Sequence, residues 1–189
     1  ALGIAVGDFV ALDARTVLTE SGFVKSRHLD DKACVGIMFE VIDQMLSQNI
    51  TPQYTTHFYI TTYEEIGHGA TEGTPPKTRE YLAIDMAVVS DINVSDEYSV
   101  TICAKDGSGP YDFNLRKKLQ KIAIDNAIDY KIDVYNYYSS DASAALRGGT
   151  SIVHGLIGPG IHTSHSYERT HLDGLDQTVD LVVAYLQSK

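Results

Sequence analysis

The pattern of apolar and polar positions changes texture near residue 26. From 31 to 46, Val35, Met38, Ile42, Met45 and Leu46 recur at helical spacing. Asp30 and Asp31 stand at the end where acidic side chains favour a helix start. Residues 54–63 are rich in threonine and aromatics and predict a strand. It runs into Glu64-Glu65-Ile66-Gly67-His68-Gly69, a loop with two glycines, and Thr74-Pro75-Pro76 makes a second break. The run 81–89 is nearly all apolar and is interrupted by Asp85, and 98–104 reads as a further strand. Phe113, Leu119, Ile122 and Ala127 fit a helix, 132–138 a tyrosine-rich strand, 141–146 a short helix and 151–157 a strand. Leu175, Val179, Val182, Val183 and Leu186 mark a closing helix.

Strands that alternate with helices predict an α/β domain over 26–189, with a mostly parallel central sheet flanked by helices. Nearly continuous apolar strands fit a sheet covered on both faces. The first 25 residues do not follow this alternation. Short strands at 9–12 and 22–25 predict the end of a different, β-rich unit, with a boundary near Ser26. The chain opens mid-pattern, so the expectation is a piece of something longer.

Composition narrows the function classes. The chain has 189 residues with 15 Lys plus Arg and 25 Asp plus Glu, a formal charge of 15 − 25 = −10. That balance offers no general electrostatic footprint for nucleic acid or an anionic membrane surface. No apolar run approaches the ~20 residues of a membrane helix. Cys34 and Cys103 form neither a disulfide framework nor a C-x-x-C pair, which predicts buried thiols in a reducing, cytoplasmic setting.

In open α/β sheets ligands gather at the carboxyl ends of strands, where several acidic residues and histidines of this chain fall. Asp85 is the sharpest anomaly, because a carboxylate in a buried strand is costly unless it is paired or binds a metal. The plainer alternative is that it caps a turn at the strand's end. Glu64 and Glu65 follow a strand and precede a glycine loop, which can aim neighbouring carboxylates at different targets. One can bind a metal while the other takes a proton from water. Taken alone, they are a surface pair. His-Leu-Asp occurs at His28–Asp30 and at His171–Asp173, but so short a motif arises often by chance. There is no G-x-S-x-G, H-E-x-x-H or phosphate-binding G-x-x-x-x-G-K-[ST].

The ordered set Leu-Asp-Asp-Lys, Tyr-Glu-Glu-Ile-Gly-His-Gly-Ala, Ala-Ile-Asp and Ser-His-Ser-Tyr-Glu resembles the metallo-aminopeptidases of the glutamyl-aminopeptidase and tetrahedral-aminopeptidase family. The match runs from about Gly3 to the C-terminus. The resemblance implies a zinc-peptidase-like fold and a peptidase with two divalent metal ions, zinc or cobalt. It implies that Asp30 bridges the metals, that Glu65 and His165 bind one, that Asp85 binds the other, and that Glu64 is the general acid/base. It also implies peptide substrates and a homo-oligomeric full-length protein. Residues 1–25 would then be the remnant of an inserted β-rich dimerisation domain, and 26–189 an incomplete catalytic domain.

Some features depart from the family. Members are about twice as long, and an N-terminal His-x-Asp supplies a histidine to the second metal. His28 has the right neighbours, but Asp30 already has the bridging role, and His171 lies in the wrong part of the chain. His162 stands where the family often has arginine. Two alternatives stay open: an inactive shortened relative that serves as a binding or structural module, and a glycosidase using Glu64 with a second carboxylate.

Overall fold

The computed structural model describes residues 2–189. The strands are β1 (Val17–Leu18), β2 (Phe23–Ser26), β3 (Glu80–Ile84), β4 (Ala87–Val89), β5 (Val100–Asp106), β6 (Gly109–Pro110), β7 (Tyr130–Val134), β8 (Val153–His162) and β9 (Glu168–His171). The helices are α1 (Leu29–Ser47), α2 (Phe113–Asp125), α3 (Asp141–Arg147) and α4 (Leu172–Gln187), and Glu64–Ile66 forms a 3-10 turn.

One mixed sheet joins all nine strands of the described residues. The ten-residue β8 is its spine. It runs parallel to β3 and β4 and antiparallel to β5 and β9. β7 adds to β5 in parallel, β6 adds to it antiparallel, and β2 and β1 extend the sheet beyond β9 antiparallel. The mostly parallel sheet expected from the sequence is thus mixed in direction. Its parallel pairs are β3 and β4 with β8 and β7 with β5, whereas the central β5–β8 pair and the β5–β6, β8–β9, β9–β2 and β2–β1 pairs are antiparallel.

Helices cover both faces. On one, Ile37, Val41 and Met45 of α1 pack with Leu115, Leu119 and Ile122 of α2 and Val179, Leu181 and Val182 of α4, over Val100, Ile102 and Ile157 of the sheet. Each such side chain contributes about 1.5–3 kcal/mol when fully buried. On the other face Ala142 of α3 packs against Ala83, Ala87, Cys103, Tyr111, Tyr135 and Leu156. Both cysteines are buried free thiols. The caps follow from sequence: Asp112 accepts from Leu115 N at 2.8 Å to start α2, and His171 Nδ1 accepts from Asp173 N at 3.1 Å to start α4.

Two expected strands do not form. Residues 9–12 are extended and exposed without a ladder. Residues 54–63 also lack one, although their composition favours a strand. A strand needs a neighbour for its backbone groups. The nearest free edge, that of β3, lies across a cavity of about 1490 Å³. The apolar run 81–89 is two strands rather than one, broken at Asp85-Met86.

Gly158 makes that break possible. A Cβ there would lie 1.6 Å from the Asp85 carbonyl oxygen, so β8 can approach Asp85 this closely only through glycine.

Candidate metal centre

Four segments deliver acidic and imidazole groups to one end of the sheet. Asp30 and Asp31 sit at the start of α1, but their dihedrals are not helical (φ −79°, ψ 106° and φ −116°, ψ 25°). They therefore do not act as ordinary helix-start acids. Glu64 and Glu65 lie on the 3-10 turn, which Gly67 closes at φ 78°. Asp85 lies at the β3–β4 break, and His165 in the tight β8–β9 connection at φ 64°.

Asp30, Glu65 and His165 each bring a ligand atom to within 4.8 Å of the other two. His165 Nε2 stands 3.2 Å from Asp30 Oδ2 and 3.1 Å from Glu65 Oε2. Ligand atoms that share a zinc at about 2.0–2.2 Å lie about 3.3 Å apart at the tetrahedral angle. Asp30, Asp31 and Asp85 form a second group by the same measure, joined to the first through Asp30. Mixed nitrogen and oxygen donors of this kind suit zinc or cobalt better than calcium.

The second group is buried and short of partners. Asp85 is 6% exposed, and its Oδ1 accepts from Met86 N at 2.6 Å. Asp31 Oδ1 is buried without a hydrogen-bond partner. Burial, then neighbouring Asp85, pushes the Asp31 carboxyl well above its ordinary value. Burial, then Glu64 and Asp30, does the same to Asp85. Such packing of carboxylates calls for a proton or a cation among them. The orphaned oxygen and the donor set fit a bound divalent ion.

Glu64 is half-buried beside this cluster. Burial first, then Asp141, Glu65 and Asp30, raises its carboxyl to about 7. Burial and Asp30 raise Glu65, while His165 opposes that rise. Asp141 reaches the turn from α3. It accepts from Thr61 Oγ1 at 2.6 Å and leaves no room for a side chain at Gly69, whose Cβ would lie 2.1 Å from Asp141 Oδ1. The start of α3 is held in turn by Ser140 and Ser143, which bond Tyr111 and the fully buried Asp106.

Glu168 ties the cluster together from behind. It is 1% exposed, accepts Asp30 N at 3.0 Å and His165 N at 2.9 Å, and so locks the two loops to each other. Ser164 Oγ also donates to Asp30 Oδ2 at 2.5 Å.

All five residues singled out in the sequence, Asp30, Glu64, Glu65, Asp85 and His165, therefore converge. His171 and Asp173 do not. His171 caps α4 by accepting from Asp173 N, and its ring packs on Phe23 and Tyr98. His162 ends β8, paired with Val89 and Arg169. Sequence reasoning missed Asp31, Asp141 and Glu168. Asp31 resembled a helix-start acid. Glu168 lay within a quoted motif, but its burial left no mark in the sequence.

The M42 glutamyl aminopeptidase model matches residues 1–181. The chain belongs to that family. Over 187 residues it is 54% identical to YhfE of Bacillus subtilis (strain 168), whose name proposes an aminopeptidase. That match covers 99% of this chain and 54% of YhfE, so the chain spans about half the length of its curated relative. The dodecamer PhTET1-12s shares 25% identity and a TM-score of 0.75, over 93% of this chain and 54% of that one. Aminopeptidase APDkam598 from Desulfurococcus kamchatkensis, 22% identical, has the same fold, with a TM-score of 0.78 over 98% of this chain and 54% of its own. The central sheet flanked by helices is thus that of the M42 and TET aminopeptidases, as part of a larger unit.

Proposed function

We propose that this chain carries the metal-binding and catalytic groups of an aminopeptidase that removes N-terminal residues from peptides. The carrying observation is the Asp30–Glu65–His165 cluster, which shares Asp30 with buried Asp85 and has Glu64 alongside. In this proposal Asp30, Glu65 and His165 would hold one divalent ion, and Asp30 with Asp85 would help hold a second. Zinc or cobalt bound there supplies Lewis acidity, which acidifies water and polarises a scissile carbonyl.

The chain's own groups do the rest. Glu64, held on the turn beside the cluster, would accept a proton from water and return it to the leaving amine. Glu168 and Ser164 hold Asp30, and Glu168 also holds the His165 backbone, so the donors meet without rearrangement. Asp141 braces the turn that carries Glu64.

Among the described residues, no helix is long and apolar enough to cross a membrane. We place the protein in the cytoplasm, consistent with two buried free thiols. We assign residues 26–189 to the catalytic domain and 1–25 to the end of a dimerisation unit. The full-length protein is proposed to be a homo-oligomer, as PhTET1-12s is a dodecamer.

The test combines elemental analysis after dialysis against zinc or cobalt with hydrolysis of aminoacyl anilides. Retained metal, and activity that chelator abolishes and zinc or cobalt restores, are expected. N-acetylated anilides should be inert. A protein that retains no metal, or cleaves with chelator present, would refute the proposal.

A further inference from the structure

Glu64 and Glu65 stand within residues 61–71, and both ends of that stretch are held by one short helix. At its start Thr61 Oγ1 donates to Asp141 of α3 at 2.6 Å. At its end a Cβ on Gly148, just past α3, would collide with the Thr71 carbonyl oxygen, and one on Gly69 would collide with Asp141. Neither glycine has a positive φ. Close contact with α3, not backbone strain, is what calls for glycine at both places.

α3 is moored in turn to the sheet. Asp106, at the end of β5, is 0% exposed and makes no side-chain ion pair among the described residues. Its Oδ1 accepts from Ser108 N at 2.7 Å and from Gly109 N at 3.2 Å. Its Oδ2 accepts from Tyr111 OH and from Ser143 Oγ, each at 2.7 Å. The Tyr111 hydroxyl also meets Ser140 Oγ at 2.7 Å, and Ser140 caps α3. Well-packed apolar side chains can often replace a buried charge at little cost in stability. What the carboxylate adds is direction, because its two links to α3 fix where that helix lies on the sheet.

We infer that Asp106 is a positioning residue for the reaction, holding α3 in the place from which α3 sets the turn that carries Glu64 and Glu65. The inference rests on the aminopeptidase reading. Asp106 itself lines neither of the cavities that meet at the cluster, of about 1490 and 680 Å³, so it acts only through α3. Misplacing a reacting group by about 1 Å can cost about 100-fold in rate, which gives so remote a carboxylate its leverage.

Ser143→Ala tests this by cutting one link to Asp106 while leaving a good helix former in α3. In the metal-free protein the Gly67 and His68 amides, which close the turn onto the Glu64 and Tyr63 carbonyls, should exchange with solvent at least about tenfold faster. Amides of β5 and β8 should keep their protection. In the zinc-loaded protein kcat on aminoacyl anilides should fall at least about tenfold with KM little changed. Asp106→Ala should show both effects, and Asp106→Asn should restore most of each, since hydroxyls accept as well as donate and can bond the amide. Thr178→Ala is the control. It removes an equally buried hydroxyl, which donates to Gly174 O within α4 at 2.7 Å, and should change neither turn exchange nor kcat. Unchanged turn exchange and kcat in Ser143→Ala, or the same losses in Thr178→Ala, overturn the inference and leave the aminopeptidase reading standing. If the unaltered protein cleaves no anilide, that reading falls and the inference with it.

Discussion

Glu168→Gln changes one atom of a side chain that no substrate would touch, yet it should weaken the whole centre. Each Glu168 oxygen accepts one backbone N–H, from Asp30 at 3.0 Å and from His165 at 2.9 Å, at 1% exposure. Glutamine keeps one acceptor and turns an NH₂ toward the other N–H. One charge-assisted bond is lost, worth about 1.5–3 kcal/mol, and a buried donor is left unpaired. A loss of about 2–3 kcal/mol corresponds to a Tm drop of roughly 4–12 °C in a domain of this size. Because the two tethered residues are the proposed ligands Asp30 and His165, zinc affinity should also fall about 10–100-fold. Thermal melts of the metal-free protein read the first effect, and chelator competition for zinc reads the second. An unchanged Tm together with unchanged zinc affinity would refute the argument that Glu168 holds the two loops.

Three further outcomes are expected. Glu64→Gln should lower kcat by about 10²–10⁴-fold while zinc stoichiometry is retained, because the residue moves a proton rather than holding metal; elemental analysis beside anilide kinetics separates the two. Asp31, Glu64, Glu65 and Asp85 all hold protons more tightly folded than unfolded, with Glu64 raised from 4.5 to about 7. The folded chain then binds the excess protons, so what these groups contribute to the stability of the metal-free protein is greatest below about pH 4.5 and is lost as pH rises through about 7. Melts with chelator should show that fall, and saturating zinc should reverse it, since cations favour the ionised carboxylates. A metal-free Tm that climbs from pH 5 to 7.5 would count against the crowded-carboxylate picture. Finally, Gly158→Ala should cost about 1–3 kcal/mol or more by driving β8 off the Asp85 carbonyl. Denaturant titration checks it, and Gly36→Ala, with open space around it and no positive φ, serves as the control.

Hydrophobic spacing was enough to find all four helices, because each buries one stripe against the sheet and that stripe has a period. Residue type and order in four short segments were enough to nominate Asp30, Glu64, Glu65, Asp85 and His165, because their chemistry is local to the side chain. Strand partners were less legible. Residues 54–63 look like a strand but have no neighbour to pair with, while β9, only four residues long, is a strand because β2 and β8 flank it.

The supporting shell came only with tertiary structure. Asp31 reads in sequence as a helix-start acid and stands in the fold as a carboxylate with one buried, unpaired oxygen. Nothing in the sequence marks Glu168 as buried, yet it is 1% exposed and accepts an N–H from a residue 138 positions away. Sequence by itself nominated Asp30, Glu65, Asp85 and His165 as metal-binding candidates and showed which helices would frame the sheet. Burial, partner and distance depend on segments far apart in the chain, so which groups meet, and how strongly they hold protons, was decided only when β8 drew those segments together.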